Sequence, residues 1–196
     1  MGQGAMLRIK NLSGNALKRV YEYHHQVTGW KPADAIPAGT GYQFYFEFDI
    51  GFFKEVGDDC GRANYQLEGT DLQVEFKADT AISSGGGMVF RLGMKNNWND
   101  GVFKLDKLPV YLQYHTNKEH YGLPDKSMAY LADSVTDENG KFRVYEYNLV
   151  AIRDFCHDDK EAILIASKIM NQNYSDQMVM DFMQRVNSRV AACPIR

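Results

Sequence analysis

The segment Met94-Lys95-Asn96-Asn97-Trp98-Asn99-Asp100-Gly101 sets a tryptophan among amide and turn-forming residues, where no core demands one. Tyr111, Tyr114, His115, His120 and Tyr121 follow closely. Aromatic rings with amide and hydroxyl neighbours suit two ligand chemistries. A sugar ring stacks on an aromatic face while Asn and His bond its hydroxyls. A choline headgroup sits against Tyr and Trp through cation–π attraction. The candidate ligand-binding residues are therefore Asn97, Trp98, Tyr111, Tyr114 and Tyr121. Trp98 also fits a plug at one end of a β-sandwich, and the sequence leaves both readings open.

Patterns for bond-making chemistry are sparser. His24, His25, His115, His120 and His157 lie in no HExxH, HxH or Cys-x-x-Cys-His context. On a strand, His24 and His25 face opposite sides and cannot share one ion. No GxSxG elbow and no phosphate loop is present, since Ser83 to Gly87 lacks a following Lys-Ser/Thr. Asp58-Asp59 and Asp137-Glu138 match no EF-hand register. Cys60, Cys156 and Cys193 are odd in number and widely spaced, which indicates neither a disulfide framework nor zinc. The expectation is no catalytic residue, no metal and no cofactor. The rival from another class is a hydrolase using His and Asp residues of the loops.

Those side chains must be positioned by strands. In Tyr42 to Ile50, Tyr42, Phe44, Phe46, Phe48 and Ile50 alternate with Gln43, Tyr45, Glu47 and Asp49. An extended chain sends neighbours to opposite faces, so this is a strand with one buried aromatic side and one wet side. The same alternation recurs in 72–76 and, less strictly, in 142–144. Further strands are expected at 7–12, 16–26, 63–67, 88–92, 102–105, 109–115 and 141–149. Turns fall at Ser13-Gly14-Asn15, Gly69-Thr70-Asp71 and Asp137 to Gly140. Many short strands between Gly-rich turns predict a mainly β chain, an antiparallel β-sandwich over residues 6–150.

Residues 151–196 change character. Asp158-Asp159 can cap a helix through Ile163, Leu164, Ala166, Ile169 and Met170. Ser175-Asp176 can cap a second, with Met178, Val179, Phe182, Met183, Val186 and Val190 at helical spacing and Pro194 beyond its end. This pair is expected as an appendage packed on the sandwich. The alternative is an arm that detaches and inserts into a membrane.

Composition narrows the partners. Aromatics make up 13 % of 196 residues, with 12 Tyr and 2 Trp, more than core packing alone accounts for. A net charge of −3 without a dense Lys/Arg cluster disfavours nucleic acid. The N-terminal residues show no basic segment followed by an apolar core, and no apolar run approaches the ~20 residues of a membrane span. A soluble chain is expected, cytoplasmic until released or secreted by a non-classical route.

The order and spacing of Ile9-Lys10-Asn11-Leu12-Ser13-Gly14, a Tyr-containing strand, the Ile36-Pro37-Ala38-Gly39 loop and the alternating strand resemble the start of the actinoporin sandwich. Residues 88–103, with Asn97-Trp98 after an apolar strand, resemble that family's strand and its Asn-Trp loop near the lipid-headgroup site. Residues 135–147, with Asn139-Gly140-Lys141-Phe142 and Glu146-Tyr147, are similar to the fungal fruit-body lectins, which share that sandwich. The resemblance spans about residues 7–150. It implies a lectin- or cytolysin-type protein, a defence toxin in some settings, that recognises a cell-surface glycan or a membrane lipid headgroup. Self-association and pore formation stay open. Asn99, Asp100 and Gly101 stand where actinoporins carry further aromatics, and the amphipathic N-terminal helix and Arg-Gly-Asp turn have no counterpart. The two C-terminal helices have none in the lectins.

Overall fold

The structure, a computed structural model, describes residues 3–48, 59–70, 72–79, 87–94, 97–102, 111–115, 128–133, 143–170 and 176–196. The strands are β1 (Gln3–Asn11), β2 (Leu17–His25), β3 (Val27–Thr28), β4 (Ala35–Ile36), β5 (Thr40–Phe48) and β6 (Cys60–Leu67). They continue with β7 (Leu72–Asp79), β8 (Gly87–Met94), β9 (Asn97–Val102), β10 (Tyr111–His115), β11 (Met128–Asp133) and β12 (Arg143–Val150). They form two six-stranded sheets. The first runs β10-β11-β12-β1-β5-β3 and the second β4-β2-β6-β7-β8-β9. The mainly β sandwich with two C-terminal helices is thus the architecture.

The alternating strand behaves as its pattern demands. Phe44, Phe46 and Phe48 of β5 are buried, and Tyr45 is exposed. The apolar parities of the two sheets meet in one core, where Leu7, Ile9, Phe46, Tyr65, Val74, Phe76 and Tyr147 are essentially inaccessible. Phe76 of β7 meets Tyr147 of β12 edge to face, ring centroids 5.1 Å apart, so β7 lies over β12. Because Trp30 also bridges β5 and Gly61 of β6, that stacking sets β9 and β10, the last strands of their sheets, on the same side of the sandwich. Trp30 closes the core beside β5, in edge contact with Phe44 at 5.2 Å and Phe46 at 5.5 Å. It lies so close over Gly61 that a Cβ there would sit 2.4 Å from the indole, which leaves glycine as the residue that fits.

Three expectations change. The sheets are not wholly antiparallel: β1 pairs with β12 in parallel, from Ala5 opposite Arg143 to Asn11 opposite Leu149. A strand from each end of the chain meets at the centre of the first sheet, and no hairpin constrains their direction. The polar segment read as a turn around Trp98 is strand β9, paired with β8 from Val89–Val102 to Met94–Asn97. Backbone pairing with a neighbouring strand outweighs the turn preference of Asn and Gly. β11 was not anticipated, because Met128-Ala129-Tyr130-Leu131-Ala132-Asp133 shows no clean alternation.

A short 3-10 turn (Ile152–Phe155) leads to α1 (Asp159–Met170) and α2 (Gln177–Ala192). Asp158 Oδ1 accepts from the Glu161 amide at 2.8 Å, and Asp176 Oδ1 from the Met178 amide at 2.9 Å, so both predicted acids cap their helices. Val179, Phe182 and Val186 of α2 join Leu12, Val150, Ile152, Phe155, Ala162 and Ile165 in a second core. The stripe read from sequence is enclosed there, with Met178 and Met183 partly buried against it. On α1 the expectation shifts: Ala162 and Ile165 are buried, whereas Ile163 and Leu164 are about half exposed. Among the described residues, no helix is long and apolar enough to cross a membrane.

Candidate functional site

Strand parity decides which of the predicted binding residues share a face. Val74, Phe76 and Ala78 point inward, so their cross-strand partners Leu92, Phe90 and Met88 occupy inner rows. Trp98 lies opposite Gly93, itself opposite Gln73, which places it on an outer row of the second sheet. Asn97 lies opposite Met94, on an inner row with Leu72. Tyr111 shares a row with Ala132, Tyr147 and Ile9, hence an inner row of the first sheet. Tyr114 shares one with Ala129 and Val150, on the outer side. Asn97 and Trp98 thus lie on β9 of the second sheet, and Tyr111 and Tyr114 on β10 of the first. Tyr121 lies outside the described residues.

A different set converges on the outer face of the second sheet. β2 is irregular between Arg19 and Tyr21, and from there Tyr21 faces Asn64 and Tyr23 faces Arg62. The rows continue onto β7, with Asn64 opposite Glu75, Arg62 opposite Lys77, and Gln66 opposite Gln73. Accessibility falls across this surface. Tyr21 and Tyr23 are 46 % and 47 % exposed, whereas Asn64 retains 9 % and Glu75 2 %. The result is a tyrosine shelf that descends to a polar floor.

The floor is electrically balanced. Arg62 Nε lies 3.5 Å from Glu75 Oε2, and Lys77 pairs with Asp79. Gln66 donates to the Thr70 carbonyl at 2.6 Å, which fixes its side chain toward the β6–β7 turn. Asn64 is different. Its Oδ1 is buried and, among the described residues, finds no hydrogen-bond partner. A buried acceptor left unmade costs about 1–3 kcal/mol, so a donor is favoured here once the amide turns toward the shelf. Aromatic shelf, amides and a neutralised ion pair together can hold an uncharged polyol: rings for its C–H face, amide and guanidinium groups for its hydroxyls.

Other chemistry finds less footing among the described residues. No group of three or more His, Cys, Asp and Glu side chains there could hold a metal ion. His24 and His25 are adjacent on β2, opposite Gly61 and Cys60, on opposite faces as expected. Burial pushes the Cys156 thiol up to about 12, with Glu161 adding to the effect, and burial raises Cys193 as well. Neither is a ready nucleophile. His157 Nε2 sits 3.1 Å from Arg185 Nη1, and Arg185 donates to Glu161 at 2.8 Å, a clamp between α2 and the start of α1.

Sequence reasoning missed this face. Its signal was present in part, since Gln73, Glu75 and Lys77 alternate with Val74 and Phe76, and Tyr21 and Tyr23 share a parity. No local pattern says that β2, β6 and β7 are neighbours. No protein-family model matches the chain, and no curated protein matches it significantly.

Proposed function

We propose that this protein is a recognition protein of lectin type, and that it binds a cell-surface glycan on the shelf formed by Tyr21 and Tyr23. The observation that carries the reading is Asn64 Oδ1, which has no hydrogen-bond partner among the described residues and is buried in the same cross-strand row as the exposed Tyr21. A sugar hydroxyl donates to that oxygen while the ring's apolar face lies on a tyrosine. Arg62, already balanced by Glu75, supplies donors without demanding an anionic ligand. No redox or metal chemistry enters, and no cofactor is invoked. The resemblance to fungal fruit-body lectins and actinoporins points to the same ligand class and rests on the sequence alone. Acting on such a ligand requires the protein to reach a cell surface, as a defence toxin does. Pore formation has less support, because the apolar stripe of α2 is enclosed.

A glycan array read by fluorescent protein tests this, alongside vesicles with choline headgroups. Retention on a glycan class, weakened tenfold or more by Tyr21→Ala and by Asn64→Ala, is the expected result. Retention only on vesicles assigns the shelf to a lipid headgroup instead. Turnover of a hydrolase substrate panel, unchanged in both variants, supports the rival class.

A further inference from the structure

We infer that the free edge of β2 pairs with the same edge of a second copy, forming a two-fold dimer with a continuous sheet. Among the described residues, β4 pairs with β2 only at Leu17 and Lys18, and the Arg19 amide is taken by the Asp34 carbonyl at 2.8 Å. Beyond that point Val20, Tyr21 and Tyr23 are each nearly half exposed, and His24 and His25 are exposed. A β-prone edge with open backbone groups is a template for another strand. The irregularity in β2 ends at Tyr21, so Tyr21 to His25 is a regular segment centred on Tyr23.

Symmetry and charge then choose the register. A two-fold axis normal to the sheet must pass through a residue, because directly opposed residues share a face. Centred on Tyr23, the pairing sets Glu22, which also pairs with Arg19 of its own chain, against His24 twice and Tyr21 against His25 twice. Centred on Glu22, it sets two carboxylates against each other. The chain geometry also fits the first choice. Gln26, with φ of 51°, turns the backbone out of the second sheet, and β3 joins the first. The partner strand therefore ends opposite Tyr21, short of the positions β4 occupies. The dimer stands independently of any ligand. If the glycan reading holds, it also sets two tyrosine shelves side by side, and two sites on one rigid body bind a surface far more tightly than one.

Tyr23→Cys provides the register-specific test, because directly opposed residues bring their Cβ atoms to about 4.5–5.5 Å. Mild oxidation should yield a disulfide-linked dimer for Tyr23→Cys, well above the wild-type background. Tyr21→Cys should not cross-link. Sedimentation velocity should show a dimer for the wild type, a monomer for Glu22→Lys, and a dimer again for Glu22→Lys with His24→Glu. A wild type that sediments as a monomer with no Tyr23→Cys cross-link overturns the proposal. Cross-linking through Tyr21→Cys in preference to Tyr23→Cys overturns it as well.

Discussion

Both sheets press one face into the shared core, yet their outer faces meet opposite fates. On the first sheet Arg8 and Lys10 of β1 flank Glu146 of β12, at 2.8 and 3.2 Å. Lys10 Nζ also donates to the Val190 carbonyl at the end of α2, at 2.9 Å. The chain beyond α2 closes the surface further: the Gly41 amide donates to the Pro194 carbonyl at 2.7 Å, and the Arg196 amide to the Gly41 carbonyl at 3.0 Å. Those bonds also occupy part of the open edge of β5. On the second sheet the outer face stays reachable along β2. Each face holds a buried asparagine whose Oδ1 has no hydrogen-bond partner among the described residues, Asn148 and Asn64. The row of Asn148 runs to Lys10 and Gly41, beneath the C-terminal residues, whereas that of Asn64 runs to exposed Tyr21. A strand pattern makes both polar outer faces; what lies over them separates structure from recognition.

The largest expected effect comes from breaking the seal of the first sheet. Phe182 is fully buried between the helices and the sheet, in edge contact with Phe155 at 6.4 Å. Phe182→Ala should cost about 4 kcal/mol in urea unfolding, through lost transfer energy and a cavity. A loss below about 1 kcal/mol would mean that α2 is loosely held, and the contrast between faces would fail.

Glu146→Ala comes next. It leaves Lys10 and Arg8 beside each other without their counter-charge, for a loss of about 3 kcal/mol. The matched change on the other sheet, Glu75→Gln, keeps the shape beside half-exposed Arg62 and should cost less. Equal losses would erase the distinction.

A smaller effect carries a pH signature. The hydrogen bond from Lys168, with help from the Met178 amide, holds the Asp176 carboxyl below its usual range. A depressed folded value means that the ionised form stabilises the native state above the unfolded pKa, and that this contribution is lost as pH falls through the folded one. Asp176→Asn should lower the thermal midpoint at pH 7, and the gap should close in acid below the ordinary carboxylate range. A gap unchanged across that range would show that the cap acts by shape alone.

The smallest stability effect belongs to the open face. In the Glu22→Lys monomer, Tyr23→Ala should shift unfolding by no more than about 0.5 kcal/mol, because in the single chain the side chain is half exposed. Glycan retention should nevertheless drop. Normal binding with lost stability would invert the comparison.

Local alternation by itself determined the strands of highest contrast, such as β5 and β7, since the side-chain period of an extended chain is fixed by backbone geometry. It likewise determined the capping acids and the buried stripe of α2, whose apolar positions recur at helical spacing. Short-range signals were weaker where packing overrides propensity. Asn97 to Gly101 reads as a turn and forms an edge strand, and Ile163 and Leu164 look like core while Ala162 and Ile165 fill it. Tertiary structure alone decided that β1 and β12 run side by side in parallel, that Asn97 and Trp98 belong to one sheet and Tyr111 and Tyr114 to the other, and that Tyr21, Asn64 and Glu75 fall in one row. Which strands become neighbours depends on the burial of the whole apolar surface at once, a sum over distant residues that no local window of sequence contains.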